Sequence, residues 1–434
     1  MTTTQLNRRA LVKAMAATGL GATALGMQAC SSENVRKTSG KDVVVIGGGF
    51  GGTTVAKYIK RYDASINVTL IEPKKTYMTC PGSNWYLAGL VDVDYLTHDY
   101  EALKTEHGVN VIHQMATAVD KSAQTVTLDD GKVLAYDRLV VSPGIDFRWD
   151  AIEGYSEKDA EILPHAWKAG PQTELLAKQI KEMPQGGTFL MIAPPNPFRC
   201  GPGPYERLSM VADYFKKHNP TATIMCLDPK KKFSKQSLFM SGWQELYGGM
   251  IEWYGAVDGA AVTKIDVANK TVYSEFDTVT ADVINVIPAQ KAGKIAFDIG
   301  LTNDSGWCPV NQSTFESSVH KGIYVVGDSC IAGAMPKSGH SASVQAKTCA
   351  AAVVSDLNSL KLPAARTVNT CYSLVGADYG ISVVGVYEPV DGRLTGVKGA
   401  GGVSKGDAPL SERKQEAEFA MSWYKSITKD IWGS

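Results

Sequence analysis

The sequence predicts an α/β fold with two Rossmann-like βαβ domains of the dinucleotide type and a C-terminal α+β domain. An apolar strand runs into a glycine-rich turn and a helix near residue 47, and a second strand–helix–strand unit begins near residue 187. From about residue 361 the pattern changes to alternating strands followed by one long helix. Strands that alternate with helices favour parallel sheets, whereas successive alternating strands favour an antiparallel one.

The overall charge excludes one class of partner. The 434 residues contain 44 Lys and Arg and 44 Asp and Glu, so the formal net charge is zero. This balance creates no overall electrostatic field toward a polyanion. We therefore expect no nucleic-acid partner.

The first 30 residues predict an export signal. Arg8 and Arg9 precede Lys13 and a weakly apolar run of Ala, Gly and Leu, which is the order of regions in a signal peptide. The arginine pair resembles a twin-arginine signal. We expect residues 1–30 to be this signal, a periplasmic location, and no transmembrane helix in the mature chain. A lipid anchor at Cys30 is an alternative.

The glycine-rich turn predicts a bound dinucleotide. Gly47, Gly49 and Gly52 fit the spacing G-x-G-x-x-G, and Glu72 ends the next strand. Glycines at these positions allow a pyrophosphate to approach the helix N-terminus, where free N–H groups and the helix dipole favour anions. Glu72 would accept hydrogen bonds from the adenosine ribose.

Two later strands identify the expected dinucleotide as FAD. "YDRLVVSPGI" contains Ser142 and Gly144, and "KGIYVVGDSC" contains Gly327 and Asp328. Both resemble motifs of the two-dinucleotide-domain flavoproteins, in which the aspartate contacts the ribityl and phosphate groups. Lys337, which precedes the helix directed at the isoalloxazine, is a further predicted cofactor contact. The FAD-binding domain is thus expected in two segments, residues 38–155 and 287–360.

Residues 156–286 form the second dinucleotide-type domain, but the glycine fingerprint is missing. The first strand ends in "APPNPFRCGPGP", and proline removes the backbone donors that a pyrophosphate needs. We expect no NAD(P)H site. The turn carries Cys200 instead, just before a helix whose free N–H groups would stabilise a thiolate.

Residues 361–434 form the predicted C-terminal domain, which contains Cys371. Asp391-Gly392 predicts a hairpin turn. In the last helix four apolar residues recur at helical spacing, which is compatible with core packing, an interface or a wall of the flavin pocket; they are Phe419, Trp423, Ile427 and Ile431.

The spacing of the eight cysteines argues against a metal site. None forms C-x-x-C, which disfavours zinc and a thioredoxin-type dithiol, and no C-x-x-C-H motif for c-type haem occurs. Cys226 and Cys349 lie in apolar contexts typical of buried thiols. The roles of Cys308 and Cys330 stay open.

Several long strings carry a specific resemblance. "APPNPFRCGPGPYER", "GLTNDSGWCPV", "MPKSGHSA" and "NTCYSLVGADYGISV" are similar to the flavoprotein subunit of flavocytochrome c sulfide dehydrogenase, a glutathione reductase-like family. In that family one cysteine is bonded to the 8α-methyl group of the flavin and two form a redox-active disulfide. The matching positions are Cys80 for the covalent link and Cys200 with Cys371 for the disulfide. Pro81 and Gly82, which follow Cys80, depart from the family pattern, because bulkier residues are usual at these two positions.

The resemblance implies oxidation of hydrogen sulfide through the disulfide and FAD, with electrons passed to a c-type cytochrome subunit in a heterodimer. Glu206 is a candidate for proton transfer, or else only a favourable charge in the first turn of its helix. Trp423 is a candidate flavin contact. Two alternatives stay open: a sulfide:quinone oxidoreductase, and a flavin-carrying assembly subunit without turnover of its own.

Overall fold

The computed structural model describes residues 41–275 and 277–433. The predicted signal peptide and Cys30 lie outside these residues. Within the two ranges no helix combines the length and apolar character needed to span a bilayer.

The elements of secondary structure follow one another in short alternation. The strands are β1 Asp42–Ile46, β2 Asn67–Ile71, β3 Tyr77–Met78, β4 Thr97–His98, β5 Asn110–Ile112, β6 Ala116–Asp120, β7 Thr125–Leu128, β8 Val133–Ala135, β9 Arg138–Val141, β10 Ile145–Phe147, β11 Thr188–Ile192, β12 Thr223–Leu227, β13 Ile251–Tyr254, β14 Val262–Asp266, β15 Thr271–Ser274, β16 Thr278–Thr280, β17 Val283–Val286, β18 Gln290–Ala292, β19 Cys308–Pro309, β20 Ile323–Val325, β21 Cys330–Ile331, β22 Thr367–Gly376, β23 Tyr379–Val390, β24 Arg393–Gly396 and β25 Gly402–Val403. The α-helices are α1 Phe50–Tyr62, α2 Ser83–Leu87, α3 Val93–Leu96, α4 Glu101–Thr105, α5 Pro171–Glu182, α6 Gly203–His218, α7 Gln236–Tyr247, α8 Lys294–Asp298, α9 Gly339–Leu357 and α10 Leu410–Trp432.

The first parallel sheet is assembled from two distant segments, as the sequence predicts. Its strand order is β20–β9–β1–β2–β5, and β20 pairs with β9 through Ile323 and Leu139. Strands β1 and β9 are apolar runs with buried interiors, which is typical of a sheet covered on both faces. The sheet edge at the carboxyl ends of β1 and β9 therefore brings the glycine turn and Ser142 together.

The second parallel sheet has the order β13–β12–β11–β17. It confirms the strand–helix–strand unit predicted from residue 187, with α6 following β11. The turn between β11 and α6 carries Cys200. The exact domain boundaries given above stay predictions.

The C-terminal region consists of an antiparallel sheet, β22–β23–β24 with β25 added to β23, and the helix α10. The predicted hairpin turn is confirmed: Asp391 and Gly392 have φ of 49° and 77°, and Val390 pairs with Arg393, as a two-residue turn with positive φ at both positions requires. The predicted apolar stripe of α10 is only partly buried, because Phe419 is 47% exposed while Ile431 is fully covered.

Candidate functional site: two sulfur centres beside a dinucleotide cradle

The glycine turn after β1 has no room for side chains. Gly47 has a φ of 102°, and a Cβ at this position or at Gly52 would overlap a backbone carbonyl oxygen. A Cβ on Gly49 would lie 3.1 Å from the Tyr77 hydroxyl oxygen. The turn therefore exposes backbone N–H groups at the start of α1, where a pyrophosphate can be bound.

Glu72 lies at the end of β2, beside this turn. Its carboxylate accepts hydrogen bonds from the backbone N–H of Gly48 at 2.8 Å and of Lys74 at 3.1 Å. These two contacts fix the carboxylate at the rim of the glycine turn, where a ribose hydroxyl could donate to its remaining lone pairs.

Ser142, Gly144 and Gly327 form the opposite rim. The Ser142 N–H donates to the Ile46 carbonyl at 2.8 Å. Gly144 and Gly327 have φ of 66° and 81°, a left-handed conformation that favours glycine. The Gly327 N–H is held by the Gln345 side-chain oxygen at 2.9 Å, so the two loops that the sequence predicts to contact the cofactor meet at one sheet edge.

Asp328 and Lys337 continue this rim toward the sulfur residues. The Lys337 ammonium donates to the backbone carbonyls of Asp328 and Cys330 at 2.7 and 2.8 Å and lies 3.9 Å from the centre of the Trp307 ring. Burial lowers the pKa of Lys337. Within the described residues the buried Asp328 Oδ1 has no hydrogen-bond partner, an unusual situation for a carboxylate oxygen.

These features fit FAD. The glycine turn and Glu72 suit the adenosine and pyrophosphate, and the buried oxygen Oδ1 of Asp328 suits a ribityl hydroxyl donor. The residues that would hold it are therefore the predicted ones, although their individual roles stay predictions.

The fold brings Cys200 and Cys371 into contact. Cys200 lies in the turn before α6, whereas Cys371 lies on β22, and both are half-buried free thiols. A hydrogen bond between their side chains is the largest influence on the pKa of each. The disulfide implied by the resemblance would join these two sulfurs, and it stays a prediction.

The pKa values of the two cysteines shift in opposite directions. The hydrogen bond to Cys371, followed by burial, raises the pKa of Cys200, whereas the hydrogen bond from Cys200 lowers the pKa of Cys371. The sequence predicts that free N–H groups at the start of α6 stabilise a Cys200 thiolate. The directions of the pKa shifts favour a thiolate at Cys371 instead, and the role of each sulfur stays a prediction. Cys371 is the better thiolate and the better leaving group.

Lys235 supplies a cation beside Cys371. This residue caps the start of α7 and is 9% exposed. Its ammonium donates to the Ser373 hydroxyl at 2.9 Å and to the carbonyls of Cys371 and Ile381 at 3.4 Å each. Burial lowers the pKa of Lys235, and the charges of Cys371 and Glu206 oppose that shift. The positive charge of Lys235 in turn contributes to lowering the pKa of Cys371.

Glu206, in the first turn of α6, is buried and connects three elements. Its carboxylate accepts hydrogen bonds from the Asn84 amide at 2.9 Å, the Trp85 indole at 3.1 Å and the Leu374 backbone N–H at 2.9 Å. Burial raises the pKa of Glu206, and these hydrogen bonds oppose the shift. The carboxylate thus positions β22 against α6, which is a structural role that the sequence did not indicate; its role in proton transfer stays a prediction.

Cys80, the predicted site of the covalent link, lies beside a different cation from Cys371, namely Arg199. The Arg199 guanidinium lies 2.9 Å from its sulfur, and the Ala169 N–H donates to the same sulfur at 3.4 Å. Arg199 also pairs with Asp328 at 3.6 Å. Sequence reasoning missed both Arg199 and Lys235; for Arg199 the available signal was its position directly before Cys200 in "PFRC".

The remaining predicted residues lie at the edges of the site. Trp423 on α10 is half-buried, with its ring centre 6.1 Å from that of His340 and 6.3 Å from that of Tyr372, so it lies next to the residue that follows Cys371. Four further cysteines are buried thiols whose pKa is raised by burial, to about 12 in the first two: Cys308, Cys330, Cys226 and Cys349.

Comparison with known families divides the chain into three matched segments. Residues 41–172 match pyridine nucleotide-disulphide oxidoreductases. Residues 173–288 match the central part of the flavoprotein chain of sulfide dehydrogenase (flavocytochrome c), and residues 363–432 match the flavin-binding part of flavocytochrome c sulphide dehydrogenase. The last two segments carry Cys200 and Cys371, respectively.

Known relatives and structures agree with this assignment. The mitochondrial sulfide:quinone oxidoreductase of Dictyostelium discoideum is 22% identical over 305 residues, which is 66% of this chain and 64% of that protein, so the match spans slightly less than two thirds of the relative. The X-ray structure of the sulfide:quinone oxidoreductase from Aquifex aeolicus superposes with a TM-score of 0.70 at 19% identity, covering 91% of this chain and 92% of that one. This superposition shows the common fold.

A shorter match is more specific. The flavoprotein chain of sulfide dehydrogenase (flavocytochrome c) from Chlorobaculum thiosulfatiphilum is 61% identical over 44 residues, which is 10% of this chain and 92% of that sequence. With the two matched family segments, it shows that the chain belongs to the family of the flavocytochrome c sulfide dehydrogenase flavoprotein chain.

Proposed function

We propose that this chain oxidises hydrogen sulfide through a Cys200–Cys371 disulfide and FAD and passes the electrons to a c-type cytochrome. The observation that carries the proposal is the contact of these two cysteines, which come from distant segments and meet beside the buried charges of Lys235 and Glu206. A merely structural disulfide would have no need of a buried cation that donates to the backbone carbonyl of one of its cysteines and lowers the pKa of that cysteine.

The polarity of the pair assigns the direction of the first step. HS⁻ attacks the sulfur of Cys200, the S–S bond breaks, and its electron pair remains on Cys371 as a thiolate. Cys200 then carries a persulfide. This direction is favoured because a disulfide opens faster when the leaving thiol has the lower pKa, and Lys235 stabilises the thiolate that leaves.

FAD, when bound, accepts the two electrons that must leave the sulfur centre before the disulfide can form again. The chain contributes the positions of the two sulfurs. The N–H of Cys200 donates to the Lys337 carbonyl at 2.7 Å, and Glu206 fixes β22 through the Leu374 N–H. These contacts hold the two cysteines at the proposed flavin face.

Anaerobic mixing with sulfide tests the proposal. Sulfide should bleach the bound flavin, while NADH should not. Cytochrome c and a water-soluble quinone, added separately, should then distinguish the acceptors, and we expect the cytochrome to reoxidise the flavin faster. A flavin that sulfide does not bleach would favour the assembly subunit without turnover.

The second candidate acceptor is a quinone. It is favoured by the likeness to the sulfide:quinone oxidoreductases of Dictyostelium discoideum and Aquifex aeolicus. Faster reoxidation by the quinone analogue than by cytochrome c would support this alternative.

We further propose that the mature chain is periplasmic and forms a heterodimer with a c-type cytochrome. The two arginines near the N-terminus support export with a folded cofactor. A flavin loaded with two electrons transfers them singly to haem, and a fixed partner provides proximity that diffusion does not. Purification from the native periplasm should yield a second, haem-staining chain; recovery of the flavoprotein alone, with equal activity toward free cytochrome c, would contradict the heterodimer.

A further inference from the structure

The geometry around Cys80 assigns a role to Arg199, and this inference rests on the FAD of the proposed function and on the covalent link that the sequence predicts at Cys80. We propose that Arg199 is a positioning residue for flavinylation: its guanidinium holds the Cys80 sulfur as a nucleophile and directs it toward the 8α-methyl group of FAD.

The Cys80 sulfur is held by three polar contacts. Two N–H donors are directed at it, the Arg199 Nη2 at 2.9 Å and the Ala169 N–H at 3.4 Å. Among the described residues, the thiol of Cys80 in turn donates to the Trp167 carbonyl at 3.4 Å. An arginine beside a cysteine sulfur stabilises the negative charge that develops when the thiol acts as a nucleophile.

Arg199 is held in place from several directions. Its side chain is 13% exposed, its guanidinium donates to the Trp167 carbonyl, and its backbone N–H donates to the Gln290 side chain at 3.0 Å. The second arm of the guanidinium lies 3.6 Å from Asp328, whose other carboxylate oxygen has no partner in the described chain. Arg199 therefore joins the predicted attachment point of the flavin ring to the predicted ribityl contact.

A second buried arginine nearby does not compete for this role. Arg207 is 1% exposed. Its guanidinium is committed to the side-chain oxygens of Asn84 and Asn285 and to the backbone carbonyls of His165 and Ala166 at 2.6 to 3.1 Å. Arg199 alone of the two has a hydrogen bond to the sulfur.

The step balances without a residue outside the site. A bond forms between the Cys80 sulfur and the 8α carbon, and one C–H bond of the methyl group breaks. The thiol and the methyl group each lose a proton to solvent, and the electron pair of the broken C–H bond enters the isoalloxazine. Dioxygen, or the oxidised cytochrome of the proposed function, then takes these electrons and restores the oxidised flavin. Arg199 contributes by holding the sulfur in place and by stabilising the negative charge that develops on it as the C–S bond forms.

The full-length chain prepared without flavin allows a direct test. FAD is added, samples are denatured in acid at intervals, and the covalently bound flavin is measured by its fluorescence and by the mass of the Cys80 peptide. Non-covalent binding of FAD and the alkylation rate of Cys80 by iodoacetamide are measured in parallel. The alkylation rate does not depend on flavin, so it separates the state of the sulfur from the assembly of the cofactor site.

Arg199→Gln should still bind FAD but should attach it covalently at least about tenfold more slowly, and the rate of Cys80 alkylation should fall by a similar factor. A hydrogen bond to a charged group typically changes a rate or an equilibrium by about one order of magnitude or more. Arg199→Lys keeps the charge and should recover part of both rates. Arg366→Gln, which removes an exposed arginine paired with Glu388, is the matched control and should behave as the wild type. Cys80→Ser should show no covalent flavin.

The outcomes are distinguishable. Attachment and alkylation at wild-type rates in Arg199→Gln would overturn the inference. Loss of flavin binding with an unchanged rate of Cys80 alkylation in both Arg199 variants would also overturn it, because Arg199 would then have only a structural role. A wild-type chain without covalent flavin would overturn the link and the inference together, although sulfide could still bleach the flavin. Covalent flavin that sulfide cannot reduce would instead overturn the sulfide chemistry and leave Arg199 in its role.

Discussion

Replacement of Lys235 by methionine removes the cation beside Cys371 while nearly keeping the length of the side chain. The lysine is 9% exposed and donates to the Ser373 hydroxyl at 2.9 Å and to the Cys371 carbonyl at 3.4 Å. Its charge helps to lower the pKa of Cys371, after the hydrogen bond from Cys200. The methionine variant should therefore have a Cys371 with a higher pKa and a poorer leaving thiolate.

The expected size of the effect follows from the loss of one charged partner. Interactions of this kind contribute about 1.5–3 kcal/mol, and ~1.4 kcal/mol corresponds to a tenfold change in rate. Anaerobic stopped-flow mixing with sulfide should show flavin reduction slowed by roughly tenfold or more. Lys178→Met removes a lysine that is 68% exposed and serves as the matched control.

The pH dependence gives a second measurement. Burial lowers the pKa of Lys235, and the charges of Cys371, Glu206, Cys200 and Glu416 oppose that shift. The ammonium therefore loses its proton at a lower pH than an exposed lysine would, and its effect on Cys371 disappears with that proton. The wild-type rate should fall on the alkaline side as this charge is lost. The methionine variant should lack that decline, and Lys235→Arg should move it to higher pH. A folded methionine variant that reduces its flavin at the wild-type rate would refute the assigned polarity.

Three further predictions concern neighbouring residues. Cys200→Ser and Cys371→Ser should each abolish sulfide-dependent flavin reduction while flavin stays bound. The double variant should reduce flavin no more slowly than the single variants, because both cysteines belong to the same disulfide bond. Substantial activity in either single variant would contradict the disulfide mechanism. Glu206→Gln places an amide N–H₂ group against the N–H donors of Trp85, Asn84 or Leu374. The free energy of unfolding, measured in urea, should fall by about 1–3 kcal/mol. Glu182→Gln alters a surface glutamate that is 65% exposed and should leave the free energy of unfolding unchanged. Burial lowers the pKa of His165 to about 3, well below its pKa in the unfolded chain. The unfolded state therefore binds one more proton, and the free energy of unfolding should fall as the pH drops from about 6.5 toward 3. His165→Asn should lose less stability over that interval, and an unchanged dependence of stability on pH in this variant would exclude the histidine as the cause.

The features predicted well from the sequence are those that depend on neighbouring residues. The glycine turn, the strand–helix–strand units and the Asp391-Gly392 hairpin each follow from a short pattern whose conformation is decided locally. Their positions in the structure confirm those elements. The families of residues 173–288 and 363–432 were equally accessible, because long strings in both segments resemble known relatives.

The electrostatics of the site were not accessible in that way. Lys235 reaches Ser373 and Ile381 only because β22 and β23 pair in one register, which no local pattern specifies. The preference for a thiolate at Cys371 has the same origin: the helix start next to Cys200 was visible in the sequence, but the neighbouring sulfur of Cys371 on a distant strand was not. The hydrogen bond between these distant sulfurs is the largest influence on both pKa shifts.

The turn at Cys200 also explains how two sulfur centres can be built from adjacent residues. Cys200 has a φ of 57°, a left-handed conformation that is uncommon for a residue with a side chain. It is held there by the hydrogen bond from its N–H to the Lys337 carbonyl at 2.7 Å and by that from the Gly203 N–H to its own carbonyl at 2.8 Å. A Cβ on Gly203 would lie 2.8 Å from the Cys200 sulfur, so glycine leaves the space that this sulfur occupies. The reversed backbone sends the side chain of Arg199 to Cys80 and that of Cys200 to Cys371. Under the proposed function, Arg199 would serve the sulfur that binds the cofactor covalently, and Lys235 would serve the pair of sulfurs whose bond opens and closes in each turnover.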